Sequence, residues 1–157
     1  MVDQSNSALA EIYNFEQMTD WLGTSGQPTR EQFAAIADAG YDAVINLALP
    51  ESDRAIADEG SIIAGLGMHY VHLPVQMENP TLDNLRTFIG VMQALDGKKV
   101  WVHCVVNARV SAFVFHYLRK EKNLPEQDAR SSILAQWEPR MDDVWKAFLA
   151  IPTESLE

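Results

Sequence analysis

The stretch VWVHCVVNARVSAF, Val100 to Phe113, decides how this chain is read. It begins as an apolar, β-branched run and ends that run at His103-Cys104, which reads as a buried strand. Ser111 reads as the opening of a helix that continues to about Lys122, so Cys104 stands at a strand-to-helix junction. The first N–H groups of a helix lack partners within it, and the helix dipole is positive at that end. Successive loop N–H groups can also converge into an anion-binding nest. A thiol in such a place is favoured as the nucleophilic thiolate. Arg109 adds a permanent charge on a planar fork suited to an oxyanion. Asn107 is a residue type that tolerates the left-handed conformation a tight loop needs. The Ser111 hydroxyl is placed to donate to the thiolate. Val105, Val106, Asn107, Ala108 and Val110 would line the bound anion. A lone cysteine after an apolar strand is more often a buried small hydrophobe. The coincidence of His, Cys, Asn, Arg and Ser at one junction favours an anion site.

The rest of the chain alternates in the same manner. Trp21–Thr24 reads as a short strand and SGQP as a turn. Thr29 and Gln32 make a T-x-x-Q capping box for a helix ending near Ala39, with Gly40 as its stop. Ala43–Leu47 is a strand, Pro50–Asp53 a turn, and a helix follows to Leu66. His69–Val75 alternates, with Val71, Leu73 and Val75 on one face. Thr81 caps an amphipathic helix carrying Leu82, Leu85, Phe88, Ile89, Met92 and Leu95. Two more helices are expected near Glu126–Gln136 and Met141–Ala150, with Trp137, Trp145 and Phe148 in the core. An exposed patch there would serve a homodimer. These elements predict an α/β fold, a small, mainly parallel sheet of four strands flanked by helices. One domain is expected over residues 1–157, with its core at about 21–122 and a helical tail at 123–151.

Composition narrows the function. The net charge of −10, from 22 acidic and 12 basic residues, argues against nucleic-acid or anionic-membrane partners. No apolar run reaches the length of a membrane span. The opening MVDQSNSALAEI does not read as a signal peptide, which makes the cytoplasm the expected compartment, or the periplasm if a leader had been removed. The single cysteine fits a reducing compartment or a reactive thiol. The four histidines are scattered, so no metal and no cofactor are expected.

In an α/β sheet, chemistry lies beyond the carboxyl ends of the strands. Six of the twelve basic residues fall in residues 98–122, but Lys98, Lys99, Arg119, Lys120 and Lys122 belong to the opposite edge. Arg109 is the cation at the correct edge, and Arg54 is a second helper for substrate binding. Cleavage of a phosphate ester needs a general acid for the leaving oxygen. Glu78 is the single carboxyl in the loop PVQMENPT and is the candidate.

HCVVNARVS resembles the signature loop of protein tyrosine and dual-specificity phosphatases, His-Cys, five residues, Arg, then Ser or Thr. TSGQPTREQFAAIADAGYDAVINL, GMHYVHLPV and the Cys loop resemble more closely a bacterial phosphatase-like group related to those enzymes, also found beside β-lactamase-like hydrolases. The likeness covers about Trp21 to Tyr117. His103, Cys104 and Ser111 match the phosphatase pattern. Val110 holds the usual place of the arginine, Arg109 stands one residue earlier, and Asn107 replaces the usual glycine. Gln76 or Met77 stands where an acid is usual, with Glu78 displaced. The Cys-x4-Arg spacing looks like a trait of the group.

The resemblance implies a cysteine-dependent hydrolase with Cys104, Arg109, Ser111, His103 and Glu78 in catalysis, acting through a cysteinyl-phosphate on a phosphorylated small molecule or phosphoprotein. Two alternatives stand beside it. The four-residue spacing also resembles rhodanese sulfurtransferases, which carry a persulfide on cysteine. The shifted arginine and displaced acid would equally suit a non-catalytic oxyanion or phosphate binder.

Overall fold

A computed structural model describes residues 4–156. Its centre is a five-stranded sheet of order β1-β2-β5-β3-β4, with β1 Glu16–Thr19, β2 Leu22–Ser25, β3 Ala43–Asn46, β4 His69–His72 and β5 Val100–His103. The α/β architecture and the mainly parallel sheet are as the sequence implies. β5 lies between β2 and β3 and is parallel to both; β3 is parallel to β4. The strand absent from the sequence reading is β1, which forms an antiparallel hairpin with β2 at one edge. EQMT has neither the apolar run nor the β-branched content that marks the other strands.

Register places Ser25, His103, Asn46 and His72 side by side at the carboxyl end of the parallel strands. The turn after β2, the Cys104 loop and the segments after β3 and β4 therefore meet at one edge. Successive residues of β5 point to opposite faces. Val100, Val102 and Cys104 enter the larger core, with α4 (Leu82–Ala94), α5 (Ala108–Glu121) and the C-terminal helices. Trp101 enters the smaller core under α1 (Gln4–Ala10), α2 (Arg30–Asp38) and α3 (Glu59–Gly65). The His103 ring lies on that same side, 5.9 Å from the Phe33 ring of α2. One alternation thus sends the cysteine toward α5 and the histidine toward α2 and α3.

The Thr29–Gln32 capping box forms as read, and Thr81 and Asn84 make a second one at the start of α4. Three expectations are corrected. The helix expected directly after Asp53 begins only at Glu59; Arg54 adopts φ +65 in the preceding turns, a conformation that no helix continues through. The helix expected at Ser111 begins one turn earlier, at Ala108, because Asn107 at φ +73 ends the loop and starts the helix. The helix expected over Glu126–Gln136 is two, α6 Glu126–Ala129 and α7 Ser132–Trp137, parted by extended backbone at Arg130 and capped anew by Ser131. The last α-helix is α8, Asp143–Leu149. Trp145 and Phe148 are buried there, and Trp137 is half-buried against the same core.

Among the described residues no helix is long and apolar enough to cross a membrane. Three of the far-edge cations have partners of their own. Lys99 reaches the Ala39 carbonyl and the Tyr41 ring, Lys122 pairs with Asp96, and Arg119 pairs with Glu126.

Candidate active site

The segment between β5 and α5 is short, Cys104 to Asn107, and is fastened from outside. The Val105 carbonyl accepts from Gln27 N at 2.9 Å, and the Val106 carbonyl accepts from Asn14 Nδ2 at 2.9 Å. Asn107 Nδ2 returns the contact, donating to Asn14 O at 2.8 Å and Thr24 Oγ1 at 3.2 Å. With these carbonyls drawn outward, the N–H groups are left to the other side. None of the backbone N–H groups from Val105 to Val110 donates to another described group. They form a run of free donors ending in the first turn of a fourteen-residue helix. Asn107 Oδ1 is buried without a hydrogen-bond partner among the described residues.

Gly26 is what allows the front turn to approach. A Cβ on it would stand 2.4 Å from the Val105 carbonyl oxygen, a backbone atom with no room to yield. The SGQP turn is therefore the outer brace of the Cys loop.

Cys104 is a free thiol, 0% exposed. Ser111 Oγ donates to the Ala108 carbonyl at 2.6 Å, a bond within its own helix. Arg109 occupies the first turn of α5. Its Nη1 donates to the Val75 carbonyl at 2.8 Å, and the residue is only 6% exposed. Its other guanidinium nitrogens make no hydrogen bond to the described residues, yet they are not enclosed, since Asn107 Oδ1 is the one buried unpartnered side-chain atom among those residues. The arginine thus holds the start of the loop after β4 and keeps donors accessible.

That loop is held at a second point, where Trp145 Nε1 of α8 donates to the Met77 carbonyl at 2.7 Å. Gln76, Met77, Glu78 and Asn79 are all exposed. Arg54 is exposed as well, its guanidinium 5.0 Å from the centre of the Tyr13 ring. Both line a groove of about 500 Å³ with Gln27, Pro28 and Ile56. No group of three His, Cys, Asp or Glu residues among those described is arranged to hold a metal ion.

Behind the loop lies a buried polar chain that spacing did not suggest. His103 Nε2 is 2.6 Å from Glu59 Oε2, and both residues are enclosed. Gln27 Nε2 donates to Glu59 Oε1 at 2.8 Å. His103 Nδ1 is 3.1 Å from the Cys104 carbonyl oxygen. Burial alone would raise the Glu59 carboxyl; the hydrogen bond and charge of His103, with help from Gln27 and Tyr70, outweigh it and hold the group below its ordinary value. Tyr70 is pushed up to about 12, chiefly by burial and further by the Glu59 charge, against a hydrogen bond from Asn46. Removing one partner of such a buried pair costs on the order of 3–5 kcal/mol.

A family model described as PTP-NADK, "DSP-PTPase phosphatase fused to NAD+ Kinase", matches residues 1–144. The chain belongs to this phosphatase family. A DUF442 protein from Shewanella putrefaciens CN-32 is 35% identical, with 91% of this chain and 93% of that one covered and a TM-score of 0.84. More distant structures share the fold. TpbA of P. aeruginosa, solved as a cysteine-to-serine variant with pTyr, has 15% identity, coverage of 99% and 91%, and a TM-score of 0.70. The core catalytic domain of the PP-IP phosphatase SIW14 from S. cerevisiae, solved with citrate, has 13% identity, coverage of 89% and 85%, and a TM-score of 0.71. No curated protein matches the chain.

Within this phosphatase fold the loop residues Val105 to Val110 gather around one run of N–H donors, with Cys104 and Arg109 in the same junction. Glu78 and Arg54 lie on exposed segments of the same sheet edge. Gln27, Glu59, Asn14 and Thr24 are the supporting residues absent from the sequence reading. The SGQP turn was the available signal for Gln27. Glu59 had none, because its contact with His103 spans 44 positions.

Proposed function

We propose that the protein is a cysteine-dependent phosphatase that cleaves a phosphate monoester through a cysteinyl-phosphate. The observation that carries this reading is the nest, with outward carbonyls at Val105 and Val106 and free N–H groups from Val105 to Val110 beside the only thiol. Such donors suit the equatorial oxygens of a phosphoryl group and need little rearrangement as its charge shifts.

Cys104 Sγ attacks phosphorus, and the bond from phosphorus to the leaving oxygen breaks. Arg109, oriented by Val75 O, offers its remaining donors to the phosphoryl oxygens. Glu78 protonates the leaving oxygen and afterwards takes a proton from the water that splits the sulfur–phosphorus bond, returning the thiolate and releasing inorganic phosphate. Because the thiol is fully covered, entry of the phosphoryl group displaces side chains at the mouth of the nest. Arg54 and Tyr13 border the groove that would receive the rest of the substrate, a phosphorylated small molecule or a phosphoprotein side chain.

The test is hydrolysis of a generic aryl phosphate by wild type and Cys104→Ser. Turnover by wild type and background release by the variant are expected. Equal rates in the two, or none in either, would contradict the reading.

A further inference from the structure

The helical tail carries a role that the nest, the arginine and the loop acid leave unfilled. We propose that Trp145 is a positioning residue for the phosphatase reaction: its indole holds the Met77 carbonyl and thereby sets the backbone from which Glu78 reaches the leaving oxygen. This rests on the reading of Glu78 as the general acid.

The peptide between Met77 and Glu78 is the point of control. Trp145 Nε1 donates to its carbonyl oxygen at 2.7 Å. A trans peptide is planar, with C=O and N–H pointing opposite ways. With the carbonyl drawn to α8, the Glu78 N–H is turned away from that helix, and the plane that carries the Glu78 Cα is fixed. Asn79 N donates to Gln76 O at 3.1 Å and closes a turn around the same peptide. No other side-chain hydrogen bond among the described residues reaches residues 76–79. The indole is buried, and a buried N–H left without a partner is costly, so the bond is held from the Trp145 side.

α8 is itself braced against α5. Asp142 Oδ1 accepts from Trp145 N at 2.9 Å and caps the helix. The Trp145 ring lies 5.2 Å from the Trp137 ring and 5.1 Å from the Phe148 ring, and Phe148 stacks on Phe113 of α5 at 4.8 Å. His116 of α5 donates through Nε2 to the Phe148 carbonyl at 2.9 Å. The other anchor of the loop, Arg109, stands in the first turn of α5 and holds Val75 O. Both anchors thus refer to the helix that starts at the nest, and α5 sets the acid relative to the nucleophile. Arg109 also faces the anion, so its loss would mix two roles. Trp145 has no hydrogen bond to the Cys104 loop, and its removal isolates the acid.

Trp145→Phe keeps an aromatic ring in the core and removes the donor. kcat and KM are measured with an aryl and an alkyl phosphate in wild type, Trp145→Phe, Glu78→Gln and the double variant. In Trp145→Phe, kcat should fall by about 10-fold for the alkyl phosphate and by about 2-fold or less for the aryl phosphate, with KM unchanged. The double variant should fall no lower than Glu78→Gln. A tryptophan that merely fills the core would lower the melting temperature and leave the ratio of the two substrates in place, and that result overturns the proposal. A loss that recurs in full on top of Glu78→Gln overturns it as well. If Trp145→Phe does not fold, Asp142→Ala takes its place, since it only uncaps α8. A selective loss of about 3-fold on the alkyl phosphate then supports the proposal, and an unchanged ratio overturns it. Glu78→Gln without a selective loss contradicts the acid on which the proposal rests. A selective loss there, with none in Trp145→Phe, contradicts the role of Trp145 alone.

Discussion

The two walls of the site are built differently. On the β2 side, the Cys104 loop packs against Gly26 and is hydrogen-bonded to Gln27, Thr24 and Asn14, and Glu59 closes a second layer behind them. On the β4 side, the loop that carries Glu78 is exposed from Gln76 to Asn79 and is held through two carbonyls, Val75 by Arg109 and Met77 by Trp145. Under the proposed function the first wall fixes where an oxyanion sits, and the second leaves Glu78, the proposed proton donor, in solvent between two anchors. Under the proposed function, anion binding is built in and proton donation is adaptable.

The largest break in that contrast should come from the residue that links the walls. Arg109→Lys removes the fork that serves Val75 and the phosphoryl group together, and kcat should fall by about 10²–10³-fold in steady-state assays. An unchanged kcat would mean that the arginine only fastens the β4 loop. On the rigid wall, Gly26→Ala forces the Val105 carbonyl to move, and misplacement of the nest should cost about 10²-fold in kcat with little change in KM. A fall in melting temperature with full kcat would show the brace to be structural alone.

On the adaptable wall the effect should depend on the substrate. Glu78→Gln should lower kcat by about 10-fold or less for an aryl phosphate, whose leaving oxygen needs little protonation, and by about 10²-fold for an alkyl phosphate. Equal losses on both substrates would assign the proton to another group. The smallest effect concerns stability. Burial, against a hydrogen bond to Phe148 O, holds His116 below its ordinary 6.5, so its contribution is full above that pH and fades as pH falls below it. Glu59, also held low, contributes above about pH 4.5 and loses that contribution in stronger acid. Denaturation midpoints should therefore decline in two stages from pH 7 toward pH 3, and His116→Phe should remove the first stage.

The contrast also governs what could be read from the sequence. Strand and helix periods are local, so β2 to β5, α2 and α4 were legible, as was the sheet edge that carries Cys104. The start of α5 was displaced because Ser111 looks like a cap, whereas the left-handed Asn107 sets the boundary and Ser111 turns its hydroxyl to Ala108. The shifted arginine posed a question of direction, and the fold gives that direction: Arg109 enters from the first turn of α5 toward Val75. The Glu59–His103 pair was out of reach, because tertiary packing alone brings its members together.

The central claim is that Cys104 carries the transferred phosphoryl group. Rapid acid quench of the enzyme with an aryl phosphate, followed by intact and peptide mass measurement, tests it most directly. The account predicts a transient gain of one phosphoryl group on the peptide containing Cys104, absent in Cys104→Ser. Turnover without that gain, or the gain on another residue, would contradict it.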